Sequence, residues 1–157
     1  MSDSTAIAVI TTDFNLDNEY KDEPLIPNGT YEANVTKVWY DADKNAIKWK
    51  VTLDGNEAVF SDGETPVDGA TCIYNNWLPA AGDENIPSAN GRSNKRQTKV
   101  NMLKKFADAM GINMNSSEAI MEALNNQEWH GLRVQVIIAI REYEGNFSNE
   151  VKSMKAI

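Results

Sequence analysis

Cysteine and histidine are nearly missing from this chain: Cys72 and His130 are the single examples of each among 157 residues. One thiol excludes an internal disulfide and a thiolate metal cluster, and it fits a reducing compartment. No nucleophile motif surrounds either residue, so Cys72 reads as a small buried apolar group rather than a catalytic thiol. Long apolar runs are missing too. None approaches the ~20 residues that cross a bilayer, and the start lacks the basic and apolar segments of a signal peptide. A chain that meets no membrane and stays in the cytoplasm is expected. Also lacking are a Walker loop, a dinucleotide-binding glycine motif, zinc-ligand spacing and a nucleophile elbow. Asp41 and Asp43 sit in turn chemistry, and Asp54 and Asp68 each precede glycine, so these acids read as turn formers. The expectation is a binding protein and not an enzyme, with no catalytic residue, metal or cofactor.

What is present is enough for one ordinary domain. With 41% hydrophobic and 24% charged residues, the chain can bury a core without staples. The formal charge of -8 opposes simple phosphate binding, but its distribution is uneven. Before Thr30 stand Asp3, Asp13, Asp17, Glu19, Asp22 and Glu23 against Lys21 alone. Later, Arg92, Lys95, Arg96, Lys99, Lys104 and Lys105 follow one another with no acid between them. This asymmetry suggests an acidic arm over residues 1–27 and a basic binding surface on a single domain over 28–157. A solvated charge run is the plainer reading, and it is favoured for Lys104 and Lys105.

Alternation predicts the strands. Tyr31, Ala33, Val35 and Trp39 share one side of a first strand, with Val38 and Tyr40 breaking the pattern. Ile47, Trp49, Val51 and Leu53 interleave with Lys48, Lys50 and Thr52 in a second. After Asp54-Gly55-Asn56, residues 57–61 read as a short third strand and 70–78 as a further, edge strand. Residues 79–97 form a long basic loop, of a length that is usually functional or disordered. A helix follows over 98–110, stopped by Gly111, and a second starts at an Asn115/Glu118 capping box. Leu132, Val134, Val136, Ile138 and Ile140 mark a central strand, and residues 150–154 return beside it after a turn over 143–147.

That order predicts a mainly β, α+β fold: an OB-like five-stranded barrel with one or two helices inserted before the final β-hairpin. Pro27-Asn28-Gly29-Thr30-Tyr31, the helix from Leu103 to Gly111, Trp129-His130-Gly131 before a Val/Ile strand, and Glu142-Tyr143-Glu144-Gly145 leading to Asn149-Glu150-Val151 carry a resemblance. From about Pro27 onward the chain resembles small phage-encoded OB-fold proteins of replication and recombination modules. The resemblance implies a viral protein in the host cytoplasm that binds single-stranded DNA. No family binding residue transfers, and the acidic tail of many bacterial single-stranded DNA-binding proteins is not matched.

Single strands are held by cations that track the backbone and by aromatic faces that stack bases. Trp49 reads as core, which turns Lys48 and Lys50 outward; Tyr31 and Trp39 are an even choice between core and surface. The expected DNA-binding residues are Tyr40, Lys48, Lys50, Tyr74, Trp77, Arg92, Lys95, Arg96, Lys99, Arg141, Tyr143 and Phe147, with slight sequence specificity. Expected partners are single-stranded DNA and replication or recombination proteins, with a homodimer left open. The acidic arm could lie over the groove as a competitor for DNA. The alternatives are a phage protein-interaction module and an acidic DNA mimic that inhibits a host protein.

Overall fold

In the computed structural model residues 7–157 are described, so Asp3 and the first six residues of the acidic arm lie outside the described residues. A one-turn helix, α1 (Leu16–Glu19), precedes the strands β1 (Gly29–Asp41), β2 (Ala46–Leu53) and β3 (Thr71–Trp77). Helices α2 (Lys95–Met110) and α3 (Ser117–Asn125) follow, and β4 (Arg133–Tyr143) with β5 (Asn146–Ala156) completes the fold. The strands form one antiparallel sheet in the order β3-β2-β1-β4-β5. The fold is therefore mainly β with α+β character and OB-like connectivity. The sheet does not close into a barrel: β3 and β5 are its two edges, and residues of both line a cleft with α2.

The core lies on one face of the sheet because the strand period is two. Ile47, Trp49, Val51 and Leu53 are fully buried, as are Val134, Val136 and Ile138 on β4. Trp49 organises this interior. Its indole stacks on Trp129 at 5.2 Å, meets the Phe106 ring edge-on at 5.3 Å and donates its N–H to Asn76 Oδ1 at 2.6 Å. Tyr31 is buried as well, with its hydroxyl donating to the Pro27 carbonyl at 2.6 Å.

Several boundaries differ from the sequence reading for local reasons. Residues 57–61 form no strand. The Asp68 carboxylate accepts the Gly55 and Asn56 amides, and Leu53 bonds to Gly69 and Ala70, so residues 54–70 make a closed excursion and leave the place beside β2 to β3. Gly55 is required there: its φ is +84°, and a Cβ would stand 2.7 Å from Arg133 Nη2. Helix α2 starts three residues earlier than predicted because Asn94 caps it through Gln97 N–H, while Gly111 ends it in the left-handed region as expected. The cap of α3 is Ser116, which accepts from Ala119 N–H, and not Asn115. The final hairpin turns on Glu144 and Gly145 alone, both at positive φ, so Tyr143 and Phe147 lie in strands and not in a loop. Ile26 is buried, and its amide and carbonyl both bond the Asn149 side chain, so the packed chain reaches back before Asn28.

Replacing Asn76 by Leu leaves the buried Trp49 N–H without an acceptor. We expect a loss of about 1–3 kcal/mol in denaturant unfolding followed by Trp fluorescence.

Candidate nucleic-acid interface

Because Trp49 and its alternate neighbours face the core, Lys48 and Lys50 must face the other way. Register then decides what stands beside them. Lys50 lies between Lys37 on β1 and Ile73 on β3, and Lys48 lies between Trp39 and Asn75. Trp77 pairs with Ala46, on the same outer side. A β-bulge at Thr36 brings Lys37 and Trp39 to this face, so the broken alternation at Val38 and Tyr40 reflects an extra residue and not coverage on both sides.

The outer face of β1, β2 and β3 thus joins three ammonium groups to two indoles. Lys37 Nζ lies 4.7 Å above the centre of the Trp39 ring, within cation–π range. Trp77 is 47% exposed, and Trp39 is half-buried. Lys37 and Lys50 stand directly opposite each other, an unfavourable arrangement of like charge. Among the described residues, the one carboxylate within 4 Å of these ammonium groups is that of Asp41, 3.9 Å from Lys48 Nζ. Asn75 adds a buried Oδ1 with no hydrogen-bond partner in the protein. Farther along the same face one guanidinium meets two carboxylates, which leaves that end acidic: Arg133 bonds Asp54 and Asn34 and lies 3.8 Å from Glu32.

Helix α2 presents its cations along two stripes. Lys95 and Lys99 line the cleft shared with Trp77 and Tyr74, whereas Arg96 and Lys104 line a separate groove with Tyr40. Lys99 is already engaged: it donates to Asp83 Oδ2 at 2.8 Å and to the Leu78 carbonyl at 3.2 Å. The predicted basic loop is therefore partly structured, with a short helical turn at Asp83–Asn85 fixed by the ion pair of the buried Asp83 with the half-buried Lys99. The Lys99 hydrogen bond, aided by the Ala80 amide, holds the Asp83 carboxyl below its ordinary range.

The twelve predicted binding residues are consequently divided. Lys48, Lys50 and Trp77 share the outer face, Lys95 borders it through the cleft, and Arg92 is exposed on the preceding loop. Tyr74 points inward and stacks on Phe106 at 5.4 Å, which raises its hydroxyl pKa through burial. Tyr40 is on the helix side, with its hydroxyl bonded to Asn45. Arg141, Tyr143 and Phe147 sit at the tip of the β4–β5 hairpin, beyond Asn28, roughly 35 Å of strand away from Trp39 at ~3.3 Å per residue. Cross-strand pairing also sets Phe147 beside Glu142, on the opposite side of the hairpin from Tyr143. The expected set lacks Lys37 and Trp39, the latter an even choice between core and surface in the sequence. The signal available for them was the break in alternation after Val35.

Comparison with protein families and with curated proteins gives no match to this chain. Among the described residues, no helix is long and apolar enough to cross a membrane.

The Asp83–Lys99 pair predicts acid sensitivity of the loop. Asp83 has a depressed carboxyl pKa in the fold, so its contribution is present above the ordinary value of 3.8 and is lost as pH falls through the lower folded value. Asp83→Asn should lower the melting temperature at pH 7, and the gap from the wild type should shrink as melts are repeated down to about pH 2.5.

Proposed function

We propose that the outer face of β1, β2 and β3 binds single-stranded DNA without reading its sequence. The observation that carries this reading is the grouping of Lys37, Lys48 and Lys50 with Trp39 and Trp77 on one side of the sheet. An anionic strand relieves the repulsion between Lys37 and Lys50, and bases stack on the open face of Trp77 and, across β2, on Trp39. Lys95, with Asp83 3.9 Å from its ammonium, extends the phosphate track from the helix side of Trp77. In OB folds, the face of the second and third strands is the usual place for oligonucleotides, which supports the assignment by analogy. Among phage proteins of replication or recombination, to which the sequence bears its resemblance, covering exposed single strands is the corresponding task.

Titration with oligothymidine should quench Trp emission, with affinity falling as salt rises. Trp77→Ala should weaken binding by about 5- to 150-fold, the equivalent of ~1–3 kcal/mol per stacked base. Joint replacement of Lys48 and Lys50 by Ala should reduce the slope of log affinity against log salt by about 1.4, from ~0.7 per phosphate contact. Affinity indifferent to salt, or equal for duplex and single strands, overturns the proposal. Retention of one host protein without any DNA binding would favour the inhibitor reading.

A further inference from the structure

The described arm, residues 7–23, exposes large apolar side chains that it does not bury against its own domain. Ile7, Val9, Ile10, Phe14, Leu16 and Tyr20 are each 60–89% exposed. Between them and just after them stand Asp13, Asp17, Glu19, Asp22 and Glu23, against a single Lys21. The turn of α1 is shaped locally: Asn15 Oδ1 accepts Asn18 N–H, and Glu19 accepts the Asn15 amide at 2.6 Å. Leu16 and Tyr20, four residues apart, therefore lie on one side of the turn.

On the domain, a groove of about 590 Å³ runs between α2 and α3. Met114 and Ile120 contribute buried side chains to it, Val100 and Met121 remain substantially exposed along it, and its cations are Arg96 and Lys104, the latter in an exposed ion pair with Asp108 at 3.0 Å that an arm carboxylate would have to compete with. The arm and the groove are complementary in both respects, apolar to apolar and acidic to basic. Among the described residues none of the arm lines the groove within the single chain, and the arm is tethered to the domain at Ile26 through Asn149. Residues 7–23 span roughly 55 Å when extended, enough to reach a neighbouring molecule.

We propose that the acidic arm of one copy docks in the α2–α3 groove of a second copy, with Phe14 and Leu16 entering between Val100 and Met121 and the arm carboxylates facing Arg96 and Lys104. Reciprocal exchange of arms gives a closed dimer, the commonest symmetric outcome. The inference is independent of the DNA-binding face, because Arg96 and Lys104 belong to the other stripe of α2.

The test uses full-length protein in light scattering and sedimentation. The wild type should change with concentration from the 17.5 kDa chain mass to twice that mass, and the dimer should dissociate as salt is raised. Phe14→Ser with Leu16→Ser should be monomeric, and so should Arg96→Glu with Met121→Glu. These positions are exposed or at the groove rim, and circular dichroism checks that both variants remain folded. Mixing the two monomeric variants should restore a 1:1 complex, because one intact arm meets one intact groove. A wild type monomeric at all concentrations, including one whose arm is crosslinked to its own groove, overturns the proposal. So does dimerisation that survives both sets of substitutions, or failure of the folded variants to associate when mixed. DNA titration of the monomeric variants reads the other proposal separately.

Discussion

A single indole sets the orientation of the whole sheet. Trp49 can be buried only if its N–H is matched, and Asn76 supplies the match from the neighbouring strand while Trp129 and Phe106 enclose the ring. With that side chain fixed inward, a shift of β2 by one residue would expose Trp49 and bury Lys48 or Lys50, which no partner in the interior could compensate. The positions of the lysines are thus consequences of the core. The same anchoring fixes β3 against β2 and so brings Trp77 to the lysine side. The candidate interface needs no loop to hold it in place.

The total charge conceals this arrangement. Electrostatic effects fade beyond about 8–10 Å at moderate ionic strength, so an approaching anion meets the local grouping more than the molecular sum. The acids that make the protein negative are concentrated in the arm and in turns, where Asp62 and Asp68 carry out backbone work: Asp62 accepts the amides of Glu64 and Thr65, and Asp68 those of Gly55 and Asn56. The Thr65 hydroxyl bonded to Asp62 and the Asn56 side-chain amide bonded to Asp68, together with these backbone bonds, lower both carboxyl pKa values and keep their charges in place. On the sheet, meanwhile, Asp41 is set against three lysines.

The strand order, the inward side of β2 and the stop of α2 at Gly111 were all legible in the sequence, because each follows from a repeat or from a residue with special backbone freedom. The extra strand over 57–61 was misread because Asp68, a distant residue, closes the loop that contains it. Lys99 reads as a free cation in the sequence, whereas in the fold it is bonded to Asp83, sixteen residues away. Tyr74 reads as a surface aromatic at a strand end, and only the packing of α2 across the sheet reveals that Phe106 covers it. Where the partner of a side chain lies far off in sequence, composition and spacing carry no information about it.

The extra residue at Thr36 has a wider consequence. If Thr36 took its turn in a regular alternation, counting by twos from Val35 would send Lys37 and Trp39 inward, among the core side chains, and turn Val38 to solvent; the bulge takes up the odd position and keeps Lys37 opposite Lys50 and Trp39 opposite Lys48. The bulge thus settles which of its neighbours belong to the interior while altering the chemistry of none. A change of length at Thr36 would bend or straighten β1 and leave the residues on its two faces where they are.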